Sequence, residues 1–283
     1  MASTSRIGRR PVATYVALVV MMVLFLFPVL YLFIGSIEPP SLTLGGLRGL
    51  IPTSVTFQNY VGLNQQFSNP QFTGSLRGFY TVSGIVSLSV VVGSLFVNSL
   101  AGYSLARLRF RGRRGLLLSV IVLVIIPFES IAVPLYYMLQ GLRNTIEVQI
   151  IPFIGSAFSI YLFYTFFLAL PVQLEEAARV DGAGPWRTYF QIILPNAKPA
   201  FASVAILTFI QAWSSYLWPL MTTSQPNVYP LPIAIGNLVK QQSIPDFGQM
   251  FAFGVILVVP MAIFFIVFQR WFIRSVASLA VKG

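Results

Sequence analysis

Six apolar runs, each longer than about eighteen residues, set the terms for everything else in this chain. They lie at about Val12–Ile37, Tyr80–Ala106, Gly115–Leu139, Ile146–Leu170, Ala200–Thr223 and Met250–Trp271. Inside hydrocarbon every backbone N–H and C=O needs an internal partner, so each run is predicted to be a helix. At a rise of about 1.5 Å per residue, each is long enough to cross a core of about 30 Å with some tilt. The expectation is an all-α integral membrane protein with six transmembrane helices. With 56% of residues apolar and 9% charged, a soluble fold is excluded.

The net charge of +11 would suggest nucleic-acid binding in a soluble protein, but here the basic residues flank apolar runs and report topology instead. One side collects Arg6, Arg9, Arg10, Arg107, Arg109, Arg111, Arg113, Arg114, Arg179, Arg187, Lys198, Arg270, Arg274 and Lys282. The other holds Arg48, Arg77, Arg143 and Lys240. This bias puts both termini, and a tail at residues 1–11, in the cytoplasm. The first run follows three arginines but is too long for a signal-peptide core and lacks a small-x-small cleavage site, so it reads as a retained span. The remainder, residues 12–283, reads as a single six-span domain. Its outward segments, 38–79 and 224–249, are rich in Pro, Asn, Gln and Ser and read as irregular and water-facing.

Chemistry is nearly absent. Without cysteine or histidine there is no disulfide, thiolate, imidazole metal ligand or imidazole base, and no metal site is expected. A phosphate-cradling loop needs a lysine directly after glycine. Lys198, Lys240 and Lys282 each follow another residue, so any ATP used must be bound by another chain. No nucleophile–base pair stands out, and no catalytic residue is expected.

Within the spans, Ser83, Ser87, Ser94, Asn98 and Ala101/Gly102 recur along one helical stripe. Small, weakly polar residues on one face read as close helix packing, with the lining of a polar passage as the alternative. Glu129, in IIPFESIAVPLYY, is the carboxylate set deepest in a span. An ionisable group at that depth is either functional or serves backbone freed by Pro127 and Pro134. Gln211, Trp213, Ser214, Ser215, Tyr216 and Trp218 form a polar and aromatic cluster suited to sugar rings. For Tyr216 and Trp218 the alternative is interfacial anchoring. Asn98, Glu129, Gln211, Trp213, Ser214 and Ser215 are therefore candidates for a translocation path. A self-sufficient channel or ion-coupled carrier would place Glu129 at its centre, yet would be expected to carry more intramembrane charge.

The segment 171–199 is different. Val172–Asp181 reads as a short helix, with Gly182 placed to end it in a left-handed conformation and Pro185 to open a second. Glu175 and Glu176 sit in the first turns, and Glu175 can pair with Arg179 at i,i+4. Ala177 and Ala178 leave part of the first helix nearly bare for another surface. Phe190, Ile192, Ile193 and Leu194 give the second an apolar face toward the spans.

The pattern Glu176-Ala177-Ala178-x3-Gly182-x9-Ile192-x-Leu194-Pro195 resembles the EAA loop of ABC-importer permeases. The wider run LEEAARVDGAGPWRTYFQIILPNAKPA is similar to the carbohydrate-uptake branch that includes the maltose permease. The likeness extends to IPTSVTFQNY, PFESIAVPLY, AWSSYLWPL and the closing VKG, covering nearly the whole chain. Where many relatives carry Asn-Asp after the fifth-span tryptophan, this chain has Ser214-Ser215.

The resemblance implies a type I importer permease in a bacterial or archaeal cytoplasmic membrane. It implies a second homologous permease subunit, two ATPase subunits that hold ATP and Mg, and an extracellular solute-binding protein that delivers sugar. No cofactor is expected on this chain itself. Glu175, Glu176, Ala177, Ala178, Arg179, Asp181 and Gly182 would be the ATPase-docking residues, transmitting force without catalysing.

Overall fold

The computed structural model describes residues 12–39, 54–68, 74–241 and 246–280. The amino-terminal tail, Pro40, Arg48, Pro52, Pro70, Pro245 and Lys282 lie outside the described residues. Among the described residues the structure is helical and contains no strand. The helices are α1 (Val12–Ile37), α2 (Gln58–Phe67), α3 (Leu76–Arg107), α4 (Arg113–Ile125), α5 (Phe128–Met138), α6 (Glu147–Ile154) and α7 (Ala157–Ala169). Then follow α8 (Gln173–Val180), α9 (Pro185–Thr188), a π-helical turn Tyr189–Ile193, α10 (Leu194–Asn196) and α11 (Lys198–Trp213). The last are α12 (Leu217–Thr222), α13 (Leu231–Gln241) and α14 (Phe247–Ala280).

Among the described residues, four stretches are by themselves long and apolar enough to span: Thr14–Ile37, Leu76–Arg107, Glu147–Ala169 and Phe247–Phe272. The number rises to six when two bent pairs each count as one span. The expected third span is one of them: α4 and α5 meet at 104°. Pro127 explains the break, because the residue before a proline is pushed out of the helical region; Ile126 sits at ψ 118°. The other bent pair joins Pro185–Asn196 to Lys198–Trp213 at 77°. The fifth run, read as Ala200–Thr223, is therefore not one rod. Its helix stops at Trp213 and restarts at Leu217.

Contacts group the chain into two compact units, Met1–Asn69 with Gln241–Ile256, and Pro70–Lys240 with Leu257–Gly283. In the first, Asn59 of α2 donates from Nδ2 to the carbonyls of Ser36 (3.0 Å) and Glu38 (2.7 Å), satisfying groups at the end of α1. Asn59, Leu63 and Phe67 are buried, so this part of the outward segment is an ordered helix and not the irregular stretch that its polar composition suggested. The same correction holds in the second unit, where residues 231–241 form α13 and Leu231–Ala234 are buried.

The second unit is organised on α3. The serine stripe is buried: Ser83, Ser87, Ser94 and Asn98 all face protein, which favours the packing reading. At Gly102 a Cβ would stand 2.6 Å from Cβ of Phe163 and 3.0 Å from the Ile160 carbonyl oxygen, so α3 and α7 touch backbone to backbone there.

Candidate functional site

The loop 171–199 folds as a fastened unit. Helix α8 ends in a full Schellman motif: Gly182, at φ 74°, donates to the Arg179 carbonyl (3.1 Å) and Ala183 to that of Ala178 (2.8 Å). Pro185 then opens α9 at a position where its missing N–H has no consequence. The turn chemistry expected from Gly182 and Pro185 is thus present, with the helix one residue shorter at each end than predicted.

Three expectations for this loop are corrected. Glu175 does not pair with its helical neighbour Arg179. Its Oε1 lies 3.2 Å from Nε of Arg107, at the end of α3, with the two side chains only 11% and 7% exposed. Neither of those two atoms makes a hydrogen bond, so the contact is Coulombic. The fork of the guanidinium is directed instead at the Phe167 and Leu170 carbonyls, to each of which Nη2 donates at 2.6 Å. Arg107 is buried and held in place by those two carbonyls, whereas Arg179 is exposed to solvent, so the ion pair forms with the already ordered partner. Ala178 is also buried within the chain, so only Ala177 of the alanine pair is open.

Of the predicted inner face of the second helix, Ile193 is buried and Leu194 packs against the same cluster, but Phe190 does not belong to it. Tyr189, Ile193 and Ala197 are buried together with Tyr103, Phe163 and Phe167, whereas Phe190 is exposed. Tyr189, Ile193 and Ala197 are spaced four residues apart, and Tyr189 opens the π-helical turn. The Tyr189 hydroxyl shares a 2.6 Å hydrogen bond with Ser99 Oγ of α3. What remains outward is Glu176, Ala177, Arg179, Asp181 and Gly182, flanked by Val180 (88% exposed), Trp186 and Phe190. Trp186 and Phe190 stack with centroids 6.2 Å apart. Sequence reasoning missed Val180 and Trp186, although large apolar residues in a polar loop are the usual signal of a protein contact.

The translocation-path candidates divide. A cavity of about 340 Å³ brings together Glu129, Gln211 and Ser215, along with Ser83, Gln149, Thr208 and Tyr216. Asn98, Trp213 and Ser214 do not line it. Asn98 is 0% exposed and serves the break between α6 and α7: Nδ2 donates to the Ile154 carbonyl (3.0 Å) and Oδ1 accepts from the Ser156 N–H (3.0 Å). Trp213 is buried, with Nε1 donating to the Leu257 carbonyl at 2.9 Å. Ser214 bonds back to the Ile210 carbonyl at 2.7 Å, closing the end of α11.

Trp218 is no interfacial anchor. It is 1% exposed, donates to the Val148 carbonyl at 2.8 Å, and packs edge-on against Phe128 and Phe153. Glu129 lies in the first turn of α5, just past the break, where the helix dipole favours a negative charge. The break at Pro127 thus places Glu129 and the start of α5 at the cavity wall.

A multi-pass helical membrane protein with broken spans, a largely apolar cavity that carries a carboxylate, amides and hydroxyls, and a fastened exposed loop has the parts of a transport component. Residues 98–278 match the family described as binding-protein-dependent transport system inner membrane component, and the chain belongs to that family. It is therefore an inner-membrane permease component, not a self-sufficient carrier.

Relatives include the arabinooligosaccharides transport system permease protein AraQ of Halalkalibacterium halodurans, 32% identical with 91% of each chain covered. The trehalose transport system permease protein SugB of Mycobacterium tuberculosis is 33% identical over 91% of this chain and 93% of its own. The sn-glycerol-3-phosphate transport system permease protein UgpE of Agrobacterium fabrum is 27% identical, covering 96% and 99%. The fold is that of a chain in the crystal structure of a bacterial ABC transporter involved in the import of the acidic polysaccharide alginate. The TM-score is 0.78 at 24% identity, covering 96% of this chain and 100% of that one.

Proposed function

We propose that this chain is the permease subunit of an ATP-driven sugar importer and forms half of its translocation path. A second homologous permease forms the other half, and an extracellular solute-binding protein delivers the solute. Two ATPase subunits, carrying ATP and Mg, dock at the cytoplasmic face on α8 and the residues that flank it. Both termini are cytoplasmic, residues 12–283 act as one permease domain, and this chain performs no catalysis itself. The names of the relatives support the sugar assignment.

The observation that carries the coupling reading is the rigid mounting of α8. Force applied at Glu176, Ala177, Asp181 and Gly182 passes through Arg107 and Tyr189 directly into α3. A lever of this kind couples two sites only when it moves as one piece with the spans. Glu176 faces outward and touches little of its own chain, so its replacement tests docking rather than folding, whereas Gly182→Pro also breaks the cap that ends α8. In proteoliposomes of the complete transporter, Glu176→Lys and Gly182→Pro are expected to lower ATP-driven uptake at least about tenfold while the chain still inserts, as an allosteric coupling of this size implies. Uptake at the native rate by both variants would refute the reading.

A further inference from the structure

The lining of the cavity sorts solutes by charge. In a chain of net charge +11, the described residues around this space include one carboxylate, Glu129, and no lysine or arginine. The start of α5, which could otherwise attract an anion, carries Glu129 in its first turn and is neutralised by it. The same lining holds an amide and hydroxyls, Gln211, Ser215 and Tyr216. Gln149 is 2% exposed, donates from Nε2 to the Val228 carbonyl at 2.8 Å, and leaves its Oε1 without a hydrogen-bond partner.

The remaining wall is aromatic and held still. Phe128, Phe153 and Trp218 contact one another with centroids 5.4–6.2 Å apart, and the indole N–H is already engaged by Val148. Such a wall takes the C–H face of a sugar ring, while acceptors around it take its hydroxyls. Glu129 is acceptor-only when ionised, so it binds hydroxyls and repels phosphate or carboxylate groups.

Resting on the permease reading above, we infer that this cavity is a subsite for one neutral, polyhydroxylated saccharide unit, and that Glu129 is the residue that turns away anionic solutes. Sugar phosphate esters and uronates, although handled by similar transporters, are excluded at this wall.

The absence of cysteine makes the test direct. Ser215→Cys and, as a second reporter, Gln211→Cys are introduced singly into the complete transporter. Modification of this chain by cationic and anionic methanethiosulfonate reagents of equal size is followed by mass spectrometry, in the ATP-free and vanadate-trapped states. The cationic reagent is expected to react faster by on the order of tenfold, and Glu129→Gln to bring the ratio close to one. Millimolar trehalose, maltose or cellobiose should slow labelling, and sn-glycerol 3-phosphate should not.

Equal rates for the two reagents overturn the charge filter alone. Protection by glycerol 3-phosphate, or by none of the probes, overturns the saccharide assignment. No labelling at either position in either state removes the cavity from the pathway and takes the permease-path reading with it.

Discussion

Arg107 and Glu175 meet at 3.2 Å between the carboxyl-terminal end of α3 and the first turn of α8, and the same guanidinium donates to the last carbonyls of α7. One side chain thus ties three helices. Removing one partner of a buried ion pair leaves an uncompensated charge at a cost of about 3–5 kcal/mol. Glu175→Ala is therefore expected to lower solute-stimulated ATP hydrolysis about tenfold or more. The double swap Arg107→Glu with Glu175→Arg should not restore it, because the Phe167 and Leu170 carbonyls would then face a carboxylate. ATPase rates in nanodiscs check both statements, and recovery in the double swap would show that the pair acts through charge alone.

Gly182 tests the capping geometry apart from sterics. A Cβ there would meet nothing within 4 Å, so Gly182→Ala isolates the left-handed φ of 74°. The penalty is about 1–2 kcal/mol. Gly182→Ala should loosen ATPase binding less than Gly182→Pro, which also removes the N–H bonded to Arg179. Titration of the purified ATPase against each variant reads the order.

Close approach of α3 and α7 at Gly102 predicts a stability effect without a transport phenotype of its own. Gly102→Ala forces backbone apart, whereas Gly84→Ala meets open space. Overpacking of this kind costs about 1–3 kcal/mol. Thermal unfolding in detergent should show a lowered midpoint for Gly102→Ala and little change for Gly84→Ala.

Asn98→Ala deprives the Ile154 carbonyl and the Ser156 N–H of their partner at the α6–α7 break. Unsatisfied buried groups cost about 1–3 kcal/mol each. The expected outcome is a lower yield and a lower unfolding midpoint, with the KM for uptake by surviving transporter unchanged. A raised KM with native stability would return Asn98 to the translocation path.

Much of this was legible in the residues. Apolar length located the spans, and glycine and proline chemistry located the turn at Gly182 and the helix start at Pro185. Pro127 also carried the signal for the α4–α5 break, because its predecessor cannot continue a helix, but an uninterrupted apolar run concealed it. Pairing was not legible. Arg179 is the near neighbour of Glu175 in sequence, and only the packing of α3 against α7 brings Arg107 within reach. Tyr189 was not legible because the partner of its hydroxyl, Ser99, lies 90 residues away in the chain. Trp218 looked like an interfacial residue because hydropathy gives no sign that the chain folds back over it.

The contacts that position α8 and α9 have a consequence for how the transporter comes together. Arg107, Ser99, Tyr189 and the surrounding apolar cluster all belong to one chain. On the docking proposed above, an arriving ATPase would meet an element that is already shaped, so little conformational entropy would be lost on association. Recruitment should then proceed at an encounter-controlled rate that depends linearly on ATPase concentration, without a slow folding phase.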